Sequence, residues 1–169
     1  MIRLYYVKNS YISYLRKFEP KVLFNKAENR PYVGVLFKVN DIDYYLPLAS
    51  PKPKYATMGN SKDFHKIAGG KYGAINFNNM IPVPVTELVE IAINNEPDIS
   101  YRSLLQNQLR VLNSMKDILH KKATDIYALF VSERVPTPYD ENVKRRCCNF
   151  PMLEQKMQEY NATTTLHPL

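Results

Sequence analysis

The sequence predicts an α+β fold with a β-rich first half and helices gathered in the second. Three observations carry that reading. β-branched and aromatic runs recur up to residue 85, apolar residues then switch to three- and four-residue spacing, and loop-forming stretches separate the runs. With 169 residues, 45% of them hydrophobic and 23% charged, the chain is long enough for one core and short for two, so residues 1–169 are expected to form a single domain.

Taken in order, Ile2–Val7 reads as a strand. Pro31–Val39 and Tyr44–Leu48 read as a hairpin closed over the turn-prone Asn40-Asp41-Ile42-Asp43. Ser50–Lys71, rich in Lys, Pro, Gly, Asn and Ser, reads as a long exposed loop with one helical turn near Ser61–His65. Gly73–Asn76 and Met80–Val85 add short strands, the second kept to an edge or strand end by Pro82 and Pro84. Helices are expected over 86–94 behind Thr86, over 100–121 behind Asp98 or Ser100, over 125–134 up to Pro136, and over 150–160 after Asn149. The closing NATTTLHPL reads as frayed.

Several classes fall away. No apolar run approaches the ~20 residues of a membrane helix, and the N-terminus has neither an h-region nor a small-residue cleavage site, so a soluble cytoplasmic protein that does not engage membranes is expected. Cys147 and Cys148 are adjacent, without CxxC spacing, and read as free thiols. HExxH, Walker A, GxGxxG and EF-hand patterns are lacking, as is a carboxylate cluster for Mg²⁺; no metal and no cofactor is expected. The net charge of +7 is unevenly spread: residues 1–72 hold 13 Lys and Arg against 5 Asp and Glu, the remainder 10 against 11. A basic first half suits a polyanion surface, though solvated lysines kept for solubility give the same count.

The most distinctive stretch is Leu46-Pro47-Leu48-Ala49-Ser50-Pro51-Lys52. It sets a hydroxyl and an ammonium two residues apart at a strand end stiffened by prolines, and alternate residues of an extended chain face the same way, so Ser50 and Lys52 can address one phosphate. The same letters also describe an ordinary strand exit. Lys54 and His65 lie in the basic loop, and His120 and His167 read as surface residues. On the long helix Arg102 and Gln108 either extend a polyanion surface or decorate the helix. The run Lys144-Arg145-Arg146 is a candidate for phosphate contacts, or a solvated loop. Thirteen tyrosines without tryptophan suit base stacking as well as sheet packing.

The order YYVKNSYISYL, RPYVGVLF, DYYLPLASPK, GAINFNNMIPVP, SYRSLLQNQLRVLN, CNFPMLEQKMQEY, spanning nearly the whole chain, resembles the ToxN/AbiQ endoribonuclease toxins of type III toxin–antitoxin and abortive-infection systems, the CptN-like members in particular. The resemblance implies a strongly bent antiparallel sheet like that of the MazF/Kid toxins, with RNA in a basic groove. It also implies a closed ring with a repeat-derived RNA pseudoknot that inhibits the toxin and is processed by it, action on cellular or phage RNA, and a role in phage defence. The family's strand-end motif PLTSPK falls on Ser50 and Lys52, with Ala49 in place of its threonine. A family lysine falls on Arg30, whose guanidinium does not deprotonate and so would hold phosphate rather than move protons. The family's N-terminal tyrosine falls on Tyr11, a stacking or hydroxyl contact near the groove.

The leading expectation is thus a metal-independent endoribonuclease with Ser50, Lys52 and Arg30 as catalytic residues. The 2′-hydroxyl would attack the adjacent phosphate to give 2′,3′-cyclic phosphate and 5′-hydroxyl ends, with His65 and Tyr11 as reserve candidates for the base. Tyr11, Lys54, His65, Arg102, Gln108, Lys144, Arg145 and Arg146 are the expected RNA contacts. A non-catalytic RNA-binding module and a protein-interaction domain whose basic half meets an acidic partner remain the alternatives.

Overall fold

The computed structural model describes residues 1–27 and 29–166, with side chains left aside at 35–37 and 165–166. Seven strands, β1 (Arg3–Val7), β2 (Tyr32–Val39), β3 (Ile42–Ala49), β4 (Phe64–Lys66), β5 (Ala74–Asn76), β6 (Ile81–Pro82) and β7 (Leu88–Glu90), form one antiparallel sheet. Its order is β4-β5-β3-β2-β1-β7, with β6 also on β3. Among the described residues β4 and β7 are the two ends of that path, so the sheet is open rather than a closed barrel.

The hairpin β2–β3 turns on Asn40 and Asp41, both left-handed (φ 46 and 63), the pairing that a two-residue type I′ turn demands. This is tighter than the four-residue turn read from the sequence, and it lets β3 begin at Ile42. A register shift between the pairs Val33↔Leu46 and Phe37↔Tyr44 puts an irregularity in β2, the device by which strands bend. On its other edge β3 pairs first with β6, through Tyr44 and Tyr45, and then with β5, through Leu48 and Ala49. The catalytic-looking strand end therefore lies inside the sheet, held from both sides.

Helices follow as expected in the second half, with three differences. Residues 86–94 are not a helix: a 3-10 turn at Val85–Glu87 leads into β7, which closes the open edge of β1 through Tyr6↔Val89, and a second 3-10 turn follows at Ile93–Asn95. Pairing a strand edge outweighed the local helical pattern. The span 100–134 divides at Met115 (φ −117, ψ 18) into α2 (Ile99–Ser114) and α3 (Lys116–Val131). The helix at 150–160 continues to Leu166. Asp98 caps α2 by accepting from the Tyr101 N–H at 2.9 Å.

Two helices escaped the sequence reading. Here α1 (Asn9–Arg16) buries Tyr11, Ile12 and Leu15, and the helix over Pro138–Arg146 starts in a capping box between Thr137 and Asp140. Numbered in order, the latter is α4 and Phe150–Leu166 is α5. Near Ser61–His65 the expected helical turn is instead the approach to β4. Both cysteines are buried and unpaired, as expected, and burial pushes each thiol up to about 12. No helix among the described residues is long and apolar enough to cross a membrane.

Candidate active site

Where β3 ends, the chain is fixed on both sides. The Leu48 N–H donates to the Pro31 carbonyl at 2.9 Å. On the other side Gly73, at φ +94, lies so close that a Cβ there would come within 2.0 Å of the Ala49 carbonyl oxygen, a position only glycine can fill. Ser50 emerges exposed from this clamp.

A cavity of ≈ 270 Å³ opens between that strand end, the segment before β2 and α2. Lys26, Asn29, Arg30 and Pro31 line one side, Leu48 and Ser50 a second, and Tyr101, Leu104 and Gln108 the third. Arg30 spans the opening, its Nε donating to the Phe24 carbonyl at 2.9 Å and Nη1 to the Leu48 carbonyl at 3.4 Å. These two bonds to backbone carbonyls hold the guanidinium beside the strand end. The described lining residues include no carboxylate, so Arg30 and Lys26 give the cavity a positive field. Lys26 and its neighbour Ala27 are left-handed (φ 50 and 52), strained conformations of the sort that clusters at binding sites.

Lys52 lies two residues beyond Ser50, exposed and extended (φ −139, ψ 142), outside the cavity wall. Its carbonyl accepts from the Tyr55 N–H at 3.0 Å and starts the 3-10 turn Pro53–Ala56 that carries Lys54, also exposed. Tyr55 is buried beneath this turn with Ala49 and Ala74, and Lys66 Nζ donates to its carbonyl at 3.1 Å. Burial raises the Tyr55 hydroxyl above its ordinary pKa, and the Arg30 charge opposes that rise. The lysine-bearing turn thus rests on a packed aromatic.

The structure brings three expected residues, Ser50, Arg30 and Gln108, around one cavity, with Lys52 and Lys54 on the adjoining turn. Gln108 is not helix decoration: it is buried, with Nε2 donating to the Tyr72 carbonyl at 2.8 Å. Arg102 is half-buried on the same helix. Other expected contacts lie elsewhere. Tyr11 has no exposed surface; its hydroxyl donates to the Pro82 carbonyl at 2.8 Å and Tyr160 packs edge-on at 5.0 Å, so it serves the core and can neither stack on a base nor act as a base. Burial raises its pKa further from that role.

His65 pairs with Ile75 in the sheet, whereas its neighbour Lys66 shares the register of Ala74 and Ala49; period-two alternation therefore turns His65 to the face opposite Ala49. Burial and the Lys122 charge hold its pKa below the ordinary value. Arg146 is spent on a bidentate pair with buried Asp63, Nε and Nη2 both at 3.0 Å. Lys144 sits over the Phe130 ring at 5.2 Å, and Arg145 is exposed at the end of α4. His120 is exposed on α3, and His167 lies outside the described residues. Lys26, Asn29 and Tyr101 were missed by sequence reading; only the cationic character of Lys26 and the cap-proximal place of Tyr101 hinted at them.

An open antiparallel sheet with a basic, hydroxyl-bearing cavity at a strand end defines an α+β protein of one architectural class, and the comparisons specify the family. The family model for the toxin ToxN of type III toxin–antitoxin systems matches residues 3–158, and the chain belongs to that family. It is 37% identical over 158 residues to the endoribonuclease ToxN of Bacillus thuringiensis subsp. kurstaki, covering 91% of this chain and 81% of the relative. It is 30% identical to the endoribonuclease AbiQ of Lactococcus lactis subsp. lactis, covering 97% and 92%. Among solved structures, one from work on selective toxin inhibition by a non-coding RNA pseudoknot superposes with a TM-score of 0.84 at 35% identity, covering 95% of this chain and 98% of that one. That of AbiQ, a lactococcal anti-phage endoribonuclease, gives 0.81 at 29%, covering 96% and 99%.

Proposed function

We infer that this protein is an endoribonuclease toxin that cuts RNA at the Arg30–Ser50 cavity without a metal ion. One observation carries the reading: a hydroxyl and a guanidinium, from segments distant in sequence, share a cavity without a described carboxylate at a strand end fixed by Leu48–Pro31 and Gly73. Family membership supplies the reaction class, since curated relatives are endoribonucleases.

The RNA's own 2′-oxygen attacks the adjacent phosphorus while the bond to the 5′-oxygen breaks. The products are a 2′,3′-cyclic phosphate and a 5′-hydroxyl, with the 2′-proton removed and one delivered to the leaving oxygen. Arg30 and Lys52 offset charge growing on the phosphoryl oxygens, and Ser50 hydrogen-bonds the phosphate or the 2′-oxygen and holds it in line. Lys52 also transfers a proton to or from the reacting oxygens, an assignment that rests on the family motif. Lys54 and Arg102 extend the track of the RNA, and Arg145 and Lys144 contribute backbone contacts away from it.

The same surface binds a repeat-derived RNA pseudoknot, processed by the toxin and closing a ring of alternating protein and RNA. Free of it, the single-domain, cytoplasmic toxin cuts cellular or phage RNA in abortive phage defence. Its sheet follows the bent course of the MazF/Kid toxins, which superposition on such a toxin tests. Ser50→Ala and Lys52→Ala are expected to lower cutting of mixed RNA by about a hundredfold or more while the melting temperature and RNA binding stay near wild type. Arg30→Ala should chiefly raise KM. Full activity of Ser50→Ala, or a wild type that binds RNA without yielding fragments, overturns the reading.

A further inference from the structure

The cavity is two-sided in its chemistry. One side is cationic and hydroxylic, from Arg30, Lys26 and Ser50; the other, from α2, is an aromatic ring, an aliphatic side chain and an amide, from Tyr101, Leu104 and Gln108. Phosphate suits the first side and is repelled by an amide oxygen. A flat heterocycle suits the second, where the ring of Tyr101, held by packing and by its hydroxyl's bond with Tyr6, offers a face for stacking. At ≈ 270 Å³ the space suits one base rather than a run of them.

Gln108 is unusual on that wall. It is 3% exposed, its Nε2 is committed to the Tyr72 carbonyl, and its Oε1 is buried with no hydrogen-bond partner among the described residues. A buried acceptor left unsatisfied is costly, and because Nε2 is fixed, the amide cannot exchange its two ends without breaking the Tyr72 bond. What the wall lacks is a donor.

We propose that Gln108 selects the base that enters the cavity, its Oε1 accepting a hydrogen bond from an exocyclic amino group. Resting on the endoribonuclease reading above, this names a substrate preference at the same site: linkages beside amino-bearing bases are cut in preference to those beside bases whose edge lacks the amino group. A site that hydrogen-bonds a substrate group rejects the analogue lacking it, because the acceptor is then left bare.

The test uses oligodeoxynucleotides carrying a single ribose, and hence a single cleavable linkage, in which the base on each side of that linkage is either adenine or purine, which is adenine without its amino group. Wild-type protein should cut the amino-bearing substrate with about tenfold higher kcat/KM, and Gln108→Leu should erase the difference. Equal cutting of the two by wild type, or an unchanged preference in Gln108→Leu, overturns the proposal. The wild-type arm keeps the test valid should Gln108→Leu misfold. If wild type cuts neither, the endoribonuclease reading fails. Fluorescence anisotropy with the same oligonucleotides then decides this inference alone: tighter binding of the amino-bearing one upholds it, and equal binding sinks it.

Discussion

Two basic regions of this molecule look alike in sequence and differ in what their charges do. Around the cavity at the end of β3, Arg30 and Lys26 meet no described carboxylate, and the guanidinium donates to backbone carbonyls that orient it. At the corner between α3 and the start of α4, another cavity of ≈ 310 Å³ includes Lys62, Lys121 and Arg134, but also Asp125 and Asp140. There Asp140 receives Lys62 and Arg134 (2.9 Å), Lys121 pairs with Asp125 at 2.7 Å, and Arg146 clasps Asp63. The comparison separates available from committed charge. A sequence counts cations; only packing says which ones a buried carboxylate has already taken.

The sharpest way to break the comparison is at Gly73. Gly73→Ala forces a Cβ to within 2.0 Å of the Ala49 carbonyl and keeps a side chain at φ +94, so the strand end must shift. A loss of roughly 3 kcal/mol or more is expected, together with loss of cutting even well below the melting temperature. A variant that melts like wild type and cuts normally would mean that the clamp does not position Ser50.

Next in size, Arg146→Ala strips buried Asp63 of its bidentate partner. Burial pushes that carboxyl up, but hydrogen bonds from Arg146 and Ser61 outweigh it and hold its pKa below the ordinary value. The half-exposed guanidinium limits the loss to about 2 kcal/mol, read by denaturant unfolding. Cutting at a temperature where the variant is folded should remain, in contrast to Ser50→Ala. Loss of cutting with full stability would turn this corner into part of the RNA site.

The smallest effect is a pH signature. Hydrogen bonds from Lys62 and Thr137 hold Asp140 down at about 2, against an ordinary 3.8. A depressed carboxylate contributes stability that is fully present above its unfolded pKa and is lost as pH falls through the folded one. The wild-type advantage over Asp140→Asn in thermal melting should therefore be constant above pH ~4 and shrink towards pH ~2. An advantage that persists unchanged at pH 2 would show Asp140 to act through something other than its charge.

Much of the fold was legible because local signals agreed with the final packing. Asn40-Asp41 tolerates the left-handed pair that a tight hairpin needs, and Asp98 caps α2 as read. Leu88-Val89-Glu90 was misread since its fate depended on a vacant edge of β1, a tertiary fact, and α1 was hidden in a stretch whose tyrosines serve strand and helix equally. At the site, Ser50 stood out because prolines stiffen its strand exit. Lys26, Asn29 and Tyr101 did not, because the cavity joins the segment before β2 to a helix beginning at Ile99. Tyr11 illustrates the remaining ambiguity: an aromatic with a hydroxyl suits RNA or a core, and here the Pro82 carbonyl and Tyr160 claim it.

In the proposed reaction, RNA bound at the cavity is cut through its own 2′-hydroxyl. The most direct measurement is the chemistry of the fragment ends formed by wild-type protein in excess EDTA. Undiminished cutting is expected, with 2′,3′-cyclic phosphates on the upstream fragments and free 5′-hydroxyls on the downstream ones. Cutting abolished by EDTA, or fragments bearing 5′-phosphates, would contradict it.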